Sequence, residues 1–414
     1  MNTEKTETIE NIITSKEQLI KLAGPSTQSV HINGIPNPYR SVGEPIIQTA
    51  TYQFEDVADL SAFQEAQLTG EETDRLEYGR YGNPTVRAVE KRIAGLENAD
   101  DALLFSTGMA AITTTLLALL SGGDNIIITD DSYRRTRQFC EIYLKRMGIT
   151  TTIVPMGDYE AFEAAILPNT RLIVSESPTN PYLRTLDLER FVAIAKKNKV
   201  ITFIDSTFAT PLNIRPLDWG VDLVIHSATK YLGGHNDILA GVVAGGEELL
   251  KELRNALGIF GGIADPHTAA LLLRGIKTLG LRVARQNQNG QAISEYLEGQ
   301  PNVERVWYPG LSSHPDYEIA KQQMSGFGGV VSFTVKGDLE STSRFIDSVK
   351  IPIIAASLGA VETLIEPPAI MAFYDLTTEE RLAEGISNNL VRLALGIEDP
   401  EDIISDLEQA LAAL

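Results

Sequence analysis

The sequence predicts an α/β protein: a seven-stranded, mainly parallel sheet followed by a smaller α+β C-terminal domain. Three observations carry this reading. Seven short apolar runs alternate with helical stretches: ALLF (102–105), NIIIT (125–129), TTIVP (151–155), RLIVS (171–175), VITFID (200–205), VDLVIH (221–226) and AGVVAG (240–245). Apolarity within each run is continuous rather than alternating, which marks strands covered on both faces, and the helical stretches between them mark βα units. Beyond about residue 270 the texture changes to helical segments preceding GGVVSFTV (328–335), LVRLALG (390–396) and a final amphipathic helix.

Taken in order, residues 1–75 carry weak periodicity, with Gly and Pro in NGIPNPYRSVGEP, and read as an extended arm at a subunit interface. Residues 76–270 form the large domain. Near its start Asn83 can cap a helix and Pro84 can occupy the first turn, with Val86, Val89, Ile93 and Leu96 on one face. AAITTTLLALL (110–120) is too short to span a bilayer and reads as a buried helix. Residues 271–414 form the C-terminal domain.

The 414 residues are 43% apolar and 22% charged, which describes an ordinary globular chain. A net charge of −20 argues against nucleic acid or an anionic membrane as partner. Cys140 is the single cysteine, so no intrachain disulfide can form, and a reducing cytoplasm fits. The start, MNTEKTETIENIITSKEQ, is polar and acidic, unlike a secretory signal or an organellar transit peptide. His31, His226, His235, His267 and His314 form no ligand-spaced cluster, so no metal is expected, and neither a Walker A nor a GxGxxG pattern occurs.

In open α/β sheets functional groups gather at the carboxyl ends of strands. Asp205 ends VITFID, and Lys230 follows VDLVIH in HSATKYLGGHNDILAG. Their separation allows one crossover between neighbouring strands, so the two side chains can reach opposite sides of one small aromatic ring. Ser227 and Thr229 bracket the lysine and suit a phosphate, although turn-stabilising hydroxyls look the same. FSTGMAAI (105–112) adds a strand end and a helix start, where free N–H groups bind phosphate. Tyr133 follows NIIIT, either stacking on a planar ligand or filling core. Arg392 interrupts LVRLALG and needs an anionic partner, either a substrate carboxylate or a structural Asp or Glu. Together these are the parts that pyridoxal 5′-phosphate requires: a lysine to bond it, a carboxylate for its ring nitrogen, a phosphate cradle, a stacking aromatic and a carboxylate-binding arginine.

From about Pro38 onward the chain resembles the Cys/Met-metabolism pyridoxal-phosphate enzymes of the aspartate-aminotransferase fold. The matching segments are YGRYGNPT (78–85), FSTGMAAI, ESPTNP (176–181), DSTFATP (205–211), HSATKYLGGHNDILAG, SLGAVETL (357–364) and LVRLALGIED. Within the family it is most similar to the plant-type cystathionine γ-synthases, through SYRRTRQF, SPTNPYLRTLD, FATPLN, YPGLSSHP, MSGFGGVVSF and PAIMAFYDL. The resemblance implies that Lys230 bonds the cofactor and shuttles protons, and that Asp205 meets the ring nitrogen. It implies that Gly108, Met109, Ser227 and Thr229 hold the phosphate, joined by Tyr78 and Arg80 from a neighbouring subunit. Tyr133 would stack on the ring and act as base toward a thiol. Asn180 would lie near the ring hydroxyl and substrate, and Arg392 with Ser357 would receive the α-carboxylate. The active unit implied is at least a dimer and typically a homotetramer.

Two departures matter. Arg134 and Arg135 follow Tyr133 where many relatives have Gly-Gly, and they are candidates to receive an anionic leaving group; a solvated pair or a salt bridge is the other reading. Ala356 stands before Ser357 where several relatives carry Glu. The activity implied is γ-replacement on an O-phospho-, O-succinyl- or O-acetylhomoserine by cysteine, giving cystathionine. A cystathionine or methionine γ-lyase and an acylhomoserine sulfhydrylase are the alternatives, with a non-catalytic cofactor-binding protein more remote.

Overall fold

The computed structural model describes residues 19, 20, 22–32, 37–70, 73 and 75–414. The reading of the first 18 residues as neither signal nor transit peptide falls outside the described residues. So does Asn33–Pro36 of the arm.

Each of the seven apolar runs is a strand: β1 (Asp101–Phe105), β2 (Asn125–Thr129), β3 (Thr150–Val154), β4 (Thr170–Glu176), β5 (Ile201–Asp205), β6 (Leu223–His226) and β7 (Gly241–Gly245). They form one sheet in the order β1-β7-β6-β5-β4-β2-β3. All neighbours are parallel except at β7, which runs antiparallel to both β1 and β6. Helices cover both faces, so β2 and β7 are buried along their whole length. β3 closes one edge and is partly exposed, with threonines that suit a half-wet strand.

Helix Pro84–Glu97 starts as its residues dictate. The Asn83 side chain accepts from the Thr85 and Val86 amides, and Val89, Ile93 and Leu96 are buried. Helix Gly108–Leu119 is capped by Thr107, whose side chain accepts from the Ala110 amide.

The second sheet holds β8 (Val303–Trp307), β9 (Val330–Val335), β10 (Ile353–Ile354), β11 (Leu364–Glu366) and β12 (Leu390–Ala394), in the order β10-β11-β12-β9-β8. Only β10 and β11 pair in parallel. Helices Leu279–Glu298, Leu339–Ser348 and Pro400–Leu411 pack on it around Phe333, Phe345, Leu393 and Leu407.

Among the described residues before 76, helices Pro25–His31 and Val57–Thr69 flank a stretch whose strand-like contact is the bridge Thr51↔Tyr78. The first helix is tied down, since Arg92 Nη1 donates to the Ser29 and Val30 carbonyls at 3.0 Å. The second buries only Phe63, so it lacks an apolar stripe by which its sequence could announce it. No helix among the described residues is long and apolar enough to cross a membrane. Among them no group of three or more His, Cys, Asp or Glu could hold a metal ion.

Candidate active site

Because β4, β5 and β6 are parallel neighbours, their carboxyl ends lie side by side. Glu176 is paired with Asp205, and Asp205 with Ile225. Asp205 Oδ1 accepts from the Thr207 amide at 3.0 Å and the Thr207 hydroxyl at 2.5 Å. Thr207 Oγ1 in turn accepts from the Ser227 amide at 2.8 Å, tying the β5 end to the lysine turn. Burial pushes the Asp205 carboxyl up, against the two Thr207 donors and His226, which hold it down.

Lys230 Nζ donates to Ser357 Oγ at 2.6 Å. Burial first, and Arg392 second, bring the Lys230 amine down to about 8, with Glu366 opposing. Ser357 sits at φ 107°, a strained backbone for a residue with a side chain, and this aims its hydroxyl and carbonyl into the site. Arg392 Nη2 donates to the Ser357 carbonyl at 2.9 Å, and Nη1 donates to Asn180 Oδ1 at 3.1 Å. The anionic partner expected for Arg392 is present in the chain: Glu366 Oε1 lies 3.0 Å from Nη2.

At the other end, Gly108 and Met109 open a helix, so their N–H groups have no helical partner. A Cβ on Gly108 would stand 3.1 Å from Ser227 Oγ, and one on Gly241 would stand 2.3 Å from the Thr107 carbonyl oxygen. The cradle therefore closes to backbone distance on two sides. Thr229 lines the same space, but its hydroxyl also accepts from the Ala240 amide at 2.9 Å, which anchors its own turn.

One cavity of about 540 Å³ gathers Lys230, Asp205, Tyr133, Asn180, Ser227, Thr229, Gly108, Met109, Ser357, Arg392, Arg134 and Arg135. Tyr78 and Arg80 are not brought to it. Arg80 lines a separate cavity beside helix Pro84–Glu97, its guanidinium over the Tyr78 and Tyr81 rings. Arg134 makes a two-pronged ion pair with Asp375 at 2.8 and 2.7 Å, so its guanidinium is committed within the chain. Among the described residues, Arg135 makes a side-chain bond only to Gln138.

Two carboxylates went unrecognised in the sequence. Glu176 is buried, its carboxyl pushed well up by burial, Asp205 and Asp131, and its Oε2 has no partner. Glu366 is the counter-ion of Arg392. The signal for both was an acid closing or following an apolar stretch, in RLIVSE and ETLIE.

A half-buried lysine and a half-buried carboxylate at adjacent strand ends, with a helix-start cradle beside them, define a pyridoxal-phosphate enzyme. The description Cys/Met metabolism PLP-dependent enzyme matches residues 26–412, and the chain belongs to that family. It is 48% identical over 375 residues to "Cystathionine gamma-synthase 1, chloroplastic" of Arabidopsis thaliana, covering 90% of this chain and 66% of that protein's length. It is 41% identical over 396 residues to "L-methionine gamma-lyase" of Pseudomonas putida, covering 95% of this chain and 98% of that one. A solved structure titled "Crystal structure of metB from Corynebacterium glutamicum" superimposes with a TM-score of 0.87 at 36% identity, covering 95% and 99% of the two chains. The donor set fits the cofactor: the Gly108 cradle admits no side chain, burial lowers the lysine amine, and Asp205 sets a carboxyl at the adjacent strand end.

Proposed function

We propose that the chain catalyses γ-replacement on an activated homoserine ester, O-phospho-, O-succinyl- or O-acetylhomoserine, with cysteine as incoming thiol and cystathionine as product. The observation that carries this is the cavity holding Lys230, Asp205, Ser357 and Arg392 together, in a chain whose relatives include enzymes named for this reaction. Arg392, with Ser357 and Asn180, receives and orients the substrate carboxylate. That places the Cα proton before Lys230 Nζ, a base whose lowered affinity for protons keeps it in use near neutral pH. The bound cofactor supplies the sink for the electron pair left at Cα, and Asp205 keeps its ring nitrogen protonated. Burial raises the Tyr133 phenol above its usual range, so it starts with its proton. In this reading it donates that proton to the departing γ-oxygen, and the resulting phenolate then takes the proton of the thiol. Gly108, Met109, Ser227 and Thr229 hold the cofactor phosphate. Arg135, uncommitted to a carboxylate, faces the leaving group, while Arg134 braces the segment around Asp375.

A γ-lyase is the second reading, favoured by the methionine γ-lyase relative. Assays of the three homoserine esters with and without cysteine separate the two. Cystathionine dominating over 2-oxobutyrate supports the synthase, and 2-oxo acid released from cystathionine itself overturns it.

The proposal includes three units, residues 1–75, 76–270 and 271–414. It also includes a homotetramer built from dimers in which Tyr78 and Arg80 complete the neighbouring subunit's phosphate site. The exposed position of Tyr78 and its distance from the Lys230 cavity support this. The compartment proposed is the cytoplasm; the single Cys140, buried and with its thiol pushed up to about 12, suits a reducing one.

A further inference from the structure

Glu366 and Arg392 occupy paired positions on the antiparallel neighbours β11 and β12. Their ion pair spans 3.0 Å, with side chains 5% and 6% exposed. The other contacts of the guanidinium are neutral, being Asn180 Oδ1 and the Ser357 carbonyl, and Nε has no partner. Glu366 is therefore the one anion paired with Arg392 among the described residues. A substrate carboxylate arriving at Arg392 puts a second anion on the same guanidinium, in a space that solvent barely reaches. Two carboxylates sharing one buried cation cannot both stay ionised without a large desolvation and repulsion penalty.

We infer that Glu366 is a resident counter-anion, and that binding of a carboxylate at Arg392 is coupled to uptake of one proton by Glu366. This rests on Arg392 as the carboxylate receptor, the reading given above. The proton comes from solvent and ends on a Glu366 oxygen; no covalent bond changes.

The groups facing Glu366 agree. Burial is the largest influence on its carboxyl and pushes it up, while Arg392 on β12 and then Lys230 on the turn after β6 oppose this by favouring the ionised form. Asn180 after β4 is neutral, and Tyr133 and Arg134 after β2 share its cavity. Glu176 and Asp205 line that cavity too, and burial pushes both carboxyls up, toward the neutral form. Once Arg392 is shared with an incoming carboxylate, the largest influence favouring ionised Glu366 is weakened. The same exchange serves specificity: a ligand lacking a carboxylate has no means of releasing Arg392 from Glu366.

The test uses the cofactor-loaded enzyme and butanoate, a carboxylate without an amine to react. Calorimetric titration in buffers of different ionisation enthalpy counts protons taken up, while cofactor absorbance reports separately any protonation at the Lys230 nitrogen. The expected result is one proton per butanoate beyond that reported by absorbance. Kd should weaken about tenfold per pH unit over the window where free Glu366 is ionised. In Glu366→Gln the extra proton should vanish and the Kd profile should flatten. No extra proton in the wild type, or an undiminished one in Glu366→Gln, overturns the inference. Arg392→Ala separates the two layers: an unchanged butanoate Kd sinks the carboxylate-receptor reading itself. A weakened Kd there, with proton uptake persisting in Glu366→Gln, sinks the role of Glu366 alone. The wild-type proton count decides the matter even if Glu366→Gln does not fold.

Discussion

At the scale of single residues the site runs on displaced proton affinities. With the Lys230 amine brought to about 8, labelling of the cofactor-free protein by an amine-acylating reagent should show a midpoint near that pH; a midpoint near the usual lysine range would contradict the buried, Arg392-facing placement. Glu176 moves the other way. Burial, then Asp205 and Asp131, push its carboxyl well above the usual range, so over the interval between the unfolded and folded affinities the folded state binds the extra proton. Stability therefore falls as pH rises through that window. Glu176→Gln should flatten the fall, visible as a Tm at pH 7–8 equal to or above that of the wild type. These residues differ in how far the sequence betrays them. Lys230, Asp205 and Arg392 were legible because hydroxyls, a strand end and an apolar run frame them. Glu176 and Glu366 were not, because burial of a carboxylate depends on what faces it from another strand, which no single segment records.

At the scale of elements, all seven strands of the large sheet were legible, since each is a continuous apolar run between helical stretches. The reversal of β7 was not. GVVAG is buried throughout and reads the same in either direction, so only its partners β1 and β6 reveal its sense. β10 and β11, at two and three residues, are shorter than any periodicity can register. β7 also brings backbone against backbone where Gly241 meets Thr107 and Gly108. Gly241→Ala places a methyl 2.3 Å from the Thr107 carbonyl oxygen, and no flexible side chain is there to yield. The helix start must shift, with about 1–3 kcal/mol of stability lost. Cofactor affinity, followed by absorbance titration, should fall about tenfold or more. Unchanged affinity would remove Gly108 from the cradle.

At the scale of the whole molecule, Tyr78 and Arg80, proposed above to serve a neighbouring subunit, lie outside the Lys230 cavity. If a neighbouring subunit supplies them, inactive Lys230→Ala and Arg80→Ala chains should complement when unfolded and refolded together. Random pairing makes half the dimers mixed, each with one intact site, so activity should recover to about a quarter of wild type. No recovery would place the two residues in their own subunit's structure only.

The reversal of β7 has a consequence for the lysine turn. Residues 227–240 leave the sheet on β6 and re-enter it on the strand next door, so both ends are fixed about one strand spacing apart. Within the turn, the Thr229 amide donates to the Ala240 carbonyl at 3.2 Å, and the Gly234 amide donates to the Lys230 carbonyl at 2.7 Å. A segment pinned in this way surrenders its backbone freedom when the sheet forms. Little entropy is left to lose when a ligand arrives. The reactive nitrogen thus behaves as part of a rigid frame, set before any ligand arrives.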